Sequence, residues 1–172
     1  MLKDVVEYII YYCNQKKLNL GAIKLNKILW FYDTNNYKKT GESLTKEKYV
    51  KQKFGPVPQH ILNCLKELEN SHIIKIEKIK RQHNSNYQKT NYYYNKGTFD
   101  KKIEQQQELD ALIENICNNF SASQISEKTH DNIWRLAKIS EEIPLYATLA
   151  NDVLEIDDDD VEWMANNGIK VA

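Results

Sequence analysis

Glycine, proline and cysteine are scarce, at 5, 3 and 3 of 172 residues. Each scarcity excludes something. Gly21, Gly41, Gly55, Gly97 and Gly168 stand alone, so no phosphate-cradling loop or dinucleotide fingerprint can be built from them. Cys13, Cys64 and Cys117 are far apart and odd in number, which argues against a disulfide framework or a zinc knuckle. Each lies in an apolar stretch and reads as a buried thiol in a reducing compartment. His60, His72, His83 and His130 are scattered, without the paired spacing of a metal site. No nucleophile motif is present. No run of eighteen apolar residues occurs, so no membrane span is expected. Met1-Leu2-Lys3-Asp4 lacks the marks of a secretion signal, and a cytoplasmic protein is expected. These absences point to a protein without catalytic residues, metal or cofactor.

Charge is balanced overall but not along the chain. Residues 1–102 hold 20 lysines and arginines against 9 acids; residues 103–172 hold 4 against 15. Such asymmetry suits a nucleic acid, a charged protein partner, or attraction between the two halves of the chain. The run Asp157-Asp158-Asp159-Asp160 is contiguous. A calcium loop needs spaced ligands, so the run reads as solvated or as a helix N-terminal cap.

Apolar spacing marks the elements. Val5, Val6, Ile9, Ile10 and Cys13 predict a helix over about 3–16. A second helix runs from Ala22 to Lys39, with Leu25, Ile28, Leu29 and Tyr32 on one stripe and Lys24, Lys27, Asp33 and Lys38 on the other face. Residues 48–54 alternate weakly and predict a short extended piece. Gly55-Pro56-Val57-Pro58 is a breaker, with Pro58 in the first turn of a helix to about Asn70. Ile74, Ile76 and Ile79, then Tyr92, Tyr93 and Tyr94, predict a β-hairpin at about 73–95. A helix from Lys102 to Asn119 turns Leu109, Leu112, Ile113, Ile116 and Cys117 inward. Ser121 with Gln124 has the form of a capping box. Asp131 starts a short helix carrying Ile133, Trp134 and Leu136, and Leu145–Leu149 forms a last packing strand or turn. The expected fold is mainly α with one small antiparallel hairpin: a compact helical domain over 1–150 and an acidic helix or tail over 151–172.

Helix, helix and hairpin over 22–97 follow the order of a winged helix, whose wing Lys75, Lys78, Lys80, Arg81, Lys89 and Lys96 would arm against a DNA backbone. A hairpin covering a core edge, kept soluble by lysine, is the structural alternative. For protein contact, the aromatic and sulfur side chains of Tyr92, Tyr93, Tyr94, Trp163 and Met164 are the candidate partner-binding residues.

Two motifs carry a resemblance. Lys24-Leu25-Asn26-Lys27-Ile28-Leu29-Trp30-Phe31-Tyr32 leads through Thr40-Gly41 to Phe54-Gly55-Pro56-Val57. Ile125-Ser126-Glu127-Lys128-Thr129-His130 is followed by Trp134. In this order they resemble the signature of the Panacea domain, the SocA-like antitoxin family, whose members are also described as phage-associated protein GepA. The resemblance spans about residues 3–150. It implies a compact helical domain without catalytic residues, acting as the antitoxin of a type II toxin–antitoxin pair. It further implies binding to a cognate toxin protein encoded next door, with operator DNA or a protease-adaptor role as alternatives. Lys24, Leu25, Lys27, Leu29, Phe31, Gly55, Pro56, Thr129, His130 and Trp134 are then signature residues with mainly structural roles. His130 is expected to bond the backbone of the Gly-Pro loop and Trp134 to pack over it. Val57-Pro58 departs from the family's usual Val-Val or Pro-Val-Val, and residues 151–172 lie outside the signature.

Overall fold

The fold is that of a computed structural model, which describes residues 1–80 and 88–153. Helix α1 (Leu2–Gln15) and helix α2 (Ala22–Thr40) lead into a tight ribbon of β1 (Tyr49–Gln52) and β2 (Gly55–Pro58). Helix α3 (Ile61–Asn70) and the hairpin β3 (Ile74–Lys80) with β4 (Gln88–Tyr94) follow. Then come α4 (Gln106–Asn119), α5 (Ala122–Glu127), α6 (Asn132–Leu136), a 3-10 turn (Leu145–Ala147) and α7 (Thr148–Val153). The chain is mainly helical with two antiparallel strand pairs.

The reason α2 is central lies in its sequence. Leu25, Ile28 and Leu29 are fully buried, and each contributes about 1.5–3 kcal/mol by leaving water. Lys24, Lys27 and Asp33, expected on an outer face, are buried too. Helices α4 and α5 and strand β2 pack around α2, so that of the expected outer face only Lys38, near its C-terminus, stays exposed. Its C-terminus closes at Gly41, whose left-handed φ of 77° lets its N–H reach the Tyr37 carbonyl. The main core joins Ile9 and Ile10 of α1, Leu68 of α3, Ile74 and Tyr92 of the hairpin, and Ile113 and Ile116 of α4. A second small cluster holds Trp30, Tyr49 and Ile143.

Several boundaries differ from those predicted. Gly55–Pro58 is a strand, registered Tyr49↔Pro58 to Gln52↔Gly55, and not only a breaker. Prolines fit because β2 is an edge: the other side of β1 is taken by residues 140–143, with Lys51 N–H on the Glu141 carbonyl and Ile143 N–H on that of Tyr49. Pro58 therefore ends a strand, and α3 starts later, at Ile61. Helix α4 begins at Gln106 because Ile103 turns inward and Gln105 takes a positive φ of 47°. The Ser121–Gln124 capping box and the Asp131 cap on the Trp134 N–H form as their spacing predicts. The last apolar stretch is the 3-10 turn and the start of α7. Arg81 and His83 of the hairpin loop, and Asp157–Asp160, Trp163 and Met164, lie outside the described residues.

Candidate functional site

Both signature motifs converge on the turn between β1 and β2. Gly55 follows that turn with φ at 101°, a region open to glycine and strained for other residues. A methyl group there would collide with Lys27 Nζ and Thr129 Oγ1. Lys27 is 1% exposed, and its ammonium donates to the Pro56 carbonyl at 3.1 Å. Thr129 donates to the Ser126 carbonyl at 2.8 Å, and Ser126 donates to the Phe54 carbonyl at 2.9 Å. Three elements distant in sequence are thereby tied at one point: α2, the Gly-Pro turn, and α5 with the residues just after it.

His130 does not bond the Gly-Pro loop directly. Its Nε2 lies 3.4 Å from Ser126 Oγ, and Ser126 makes the loop contact. The imidazole instead stacks on Trp134, with centroids 3.7 Å apart and planes at 11°. Trp134 does reach the ribbon: its Nε1 donates to the Gln52 carbonyl at 3.3 Å, and Lys51 Nζ sits 4.2 Å from its ring centroid. Burial and the nearby Lys27 charge push the His130 pKa down, which favours the neutral ring suited to stacking.

The remaining signature residues make capping and packing contacts. Lys24 Nζ donates to the Cys117 carbonyl at 3.0 Å and so caps the last turn of α4. Leu25 and Leu29 fill the main core, and Phe31 bridges the two clusters. Asp33, which carried no signal in the sequence, is fully buried beneath the site. It accepts from the Thr45 N–H at 2.8 Å and from the Thr45 hydroxyl. Tyr49 Oη lies 2.7 Å from Asp33 Oδ2 and 2.8 Å from the Leu29 carbonyl. Burial, then the Asp33 charge, holds the Tyr49 pKa well above its ordinary value.

Lys27 is unusual in having no carboxylate within ion-pair range among the described residues. Burial alone lowers its pKa from the ordinary lysine value to about 7. The sign of the linkage follows. An unfolded lysine binds a proton up to about pH 10.4, the folded one only up to about pH 7. Between those values the unfolded chain holds more protons, so stability rises with pH and is lost as pH falls towards 7. Lys27→Met is expected to remove this dependence. Denaturation at pH 6 and pH 10 should show the wild type gaining about 3 kcal/mol relative to the variant. A pH-independent difference would contradict the assignment.

A family model decides the relationship. The model described as antitoxin SocA-like, Panacea domain, matches residues 25–135, which include all of these signature residues except Lys24. This chain belongs to the SocA-like Panacea family. Comparison with curated proteins gives no match, and neither does comparison with solved structures. The Panacea signature thus maps onto packing and capping contacts around one buried turn.

The hairpin tyrosines divide. Tyr92 is buried in the core and is unavailable to a partner. Tyr94 is half-buried, its hydroxyl donating to Glu7 Oε1 at 3.1 Å. Of these three, only Tyr93 is exposed, because it alternates to the outer face opposite Lys75. On that face Lys75 is paired with Glu77 at 2.6 Å and Lys89 is exposed; Lys78, of the opposite parity, and Lys96, past the strand, are exposed as well. Helix α3, which a winged helix would set in the major groove, turns Lys66, Glu67 and Glu69 outward, and its acids oppose phosphate.

One feature had no sequence signal. Two adjoining clefts meet at Phe54, which is 47% exposed despite its size. The smaller, about 230 Å³, lies between the first turns of α2 and the ribbon and includes Asn26 and Lys27. The larger, about 610 Å³, runs along α5 past Ser123, Ser126 and His130.

Proposed function

We propose that this chain is the antitoxin of a type II toxin–antitoxin pair and silences a cognate toxin by binding it directly, without catalysis. The observation that carries the reading is the family match across the interlocked heart of the fold. The signature residues are occupied in holding that fold together, so partner choice falls to surfaces around it. In this reading residues 1–150 are the scaffold, and the acidic segment 151–172 contributes to choosing the partner. Tyr93, Trp163 and Met164 remain contact candidates. No observation favours operator DNA or a protease-adaptor role over this reading.

The test is genetic. The neighbouring reading frame, expressed alone, is expected to stop growth, and co-expression with this chain to restore it, with the two proteins purifying together. A neighbour that is harmless alone, or equally toxic beside this chain, would refute the reading.

A further inference from the structure

Four of the large apolar side chains left in solvent gather near the end of the described chain. Leu136 of α6, Ile139 just after it, Tyr146 of the 3-10 turn and Leu149 of α7 are 41–84% exposed. Helix α7 packs against both α6 and the 3-10 turn, which sets these side chains on neighbouring elements. Exposed apolar residues need no explanation singly, but a group of them marks a contact surface. Arg135 and Lys138, both exposed, flank Leu136 and Ile139. The acids nearby are engaged: Glu142 pairs with Lys48 at 2.9 Å, and Glu141 accepts from the Lys138 N–H. The patch is therefore apolar with a basic margin.

We propose that this patch is the docking site of the chain's own C-terminal segment, with Val161, Trp163 and Met164 against the four apolar side chains and the acids before them beside Arg135 and Lys138. Residues 154–172 lie outside the described residues, and they continue directly from α7, which carries Leu149. The chain between Val153 and Trp163 can span up to roughly 33–36 Å, at about 3.3–3.6 Å per residue, ample to return to adjoining elements. A short tether also holds the segment at an effective concentration in the millimolar range, an advantage that no separate molecule shares. Charge selects the same occupant. Residues 154–164 contain Glu155, Asp157–Asp160 and Glu162 and no lysine or arginine, the complement of the basic margin. The same patch of a second copy would instead bring Arg135 and Lys138 near their own equivalents. A partner that contacts Trp163 and Met164 must then first lift them from this patch. The docking itself lies within one chain, so it goes beyond the antitoxin reading and does not rest on it.

The test is NMR on the full, unmutated chain. Nuclear Overhauser cross-peaks are expected from the Trp163 indole to the methyl groups of Leu136, Ile139 and Leu149 or to the Tyr146 ring. In a mixture of labelled and unlabelled protein they should arise within single chains. The double variant Leu136→Ser, Ile139→Ser is expected to lower the ratio of docked to undocked segment at least about tenfold, the worth of one well-buried apolar side chain. Raising the salt from about 0.05 M to about 0.5 M should lower it as well, by screening the acids from the basic margin. Both substituted side chains are exposed, and the cross-peaks are measured without substitution, so the result does not hang on how the variant folds. Cross-peaks from Trp163 to none of these four residues, cross-peaks between separate copies, or contacts that survive both the substitutions and the salt would overturn the proposal.

Discussion

Gly55→Ala is expected to destabilise the protein by about 3–5 kcal/mol, the sum of two separable costs. The first is backbone strain. A φ of 101° suits glycine, and a residue with a β-carbon held there loses about 1–3 kcal/mol. The second is steric. The added methyl meets Lys27 Nζ and Thr129 Oγ1, both committed to other hydrogen bonds and both buried. Moving either one breaks a tie between α2, the turn and the segment after α5. Gly41→Ala is the control. Gly41 also has a positive φ, 77°, but a β-carbon there meets nothing within 4 Å, so only about 1 kcal/mol of backbone cost is expected. Thermal melting should separate the two. For a chain of this length the larger loss corresponds to a drop of about 10 °C. Equal melting temperatures for the two variants would show that the crowding at Gly55 carries no weight.

Asp33→Ala should cost a similar amount, about 3–5 kcal/mol, by a different route. The carboxylate is fully buried and accepts from the Thr45 backbone, the Thr45 hydroxyl and Tyr49. Truncation strands these donors in a dry environment, although Tyr49 keeps the Leu29 carbonyl. It also loosens the Trp30–Tyr49 contact, whose rings lie edge to face at 5.0 Å. Asp33→Asn keeps one acceptor oxygen and should recover roughly half of the loss. Urea denaturation measures both. If alanine and asparagine prove equivalent, the oxygen count at position 33 is not what stabilises the site.

Local signals were legible where the physics is local. The helical spacing of Val5, Val6, Ile9, Ile10 and Cys13 sufficed for α1. Ser121 and Gln124 sufficed for the capping box, since both partners lie within one turn. The strand formers Ile74, Ile76 and Ile79 and Tyr92, Tyr93 and Tyr94 sufficed for the hairpin, though not for which of the tyrosines face inward. The β1–β2 ribbon was only half legible: four residues alternate too briefly, and two prolines mask a strand whose edge position makes them harmless. The site was legible as a motif but not as geometry. Lys24 and Lys27 differ little from surface lysines in sequence. What buries them is α4, whose Cys117 carbonyl is 93 positions from Lys24, and the Pro56 carbonyl, 29 positions from Lys27. The exposure of Phe54 and the burial of Asn26 Oδ1 without a partner among the described residues were not legible in the motif, because both are properties of the assembled surface.

From its sequence alone this protein is a mainly helical chain of the Panacea type, with the order of its elements set by apolar period and caps. These depend on neighbours within a few residues, so a linear reading captures them. Tertiary structure decided which polar side chains went inside, which of the tyrosines 92–94 faces outward, and how a lysine came to be buried beneath the Gly-Pro turn. Those outcomes depend on packing between segments tens of residues apart, where the cost of burying a charge or an unpaired acceptor is set by whatever the rest of the chain brings alongside.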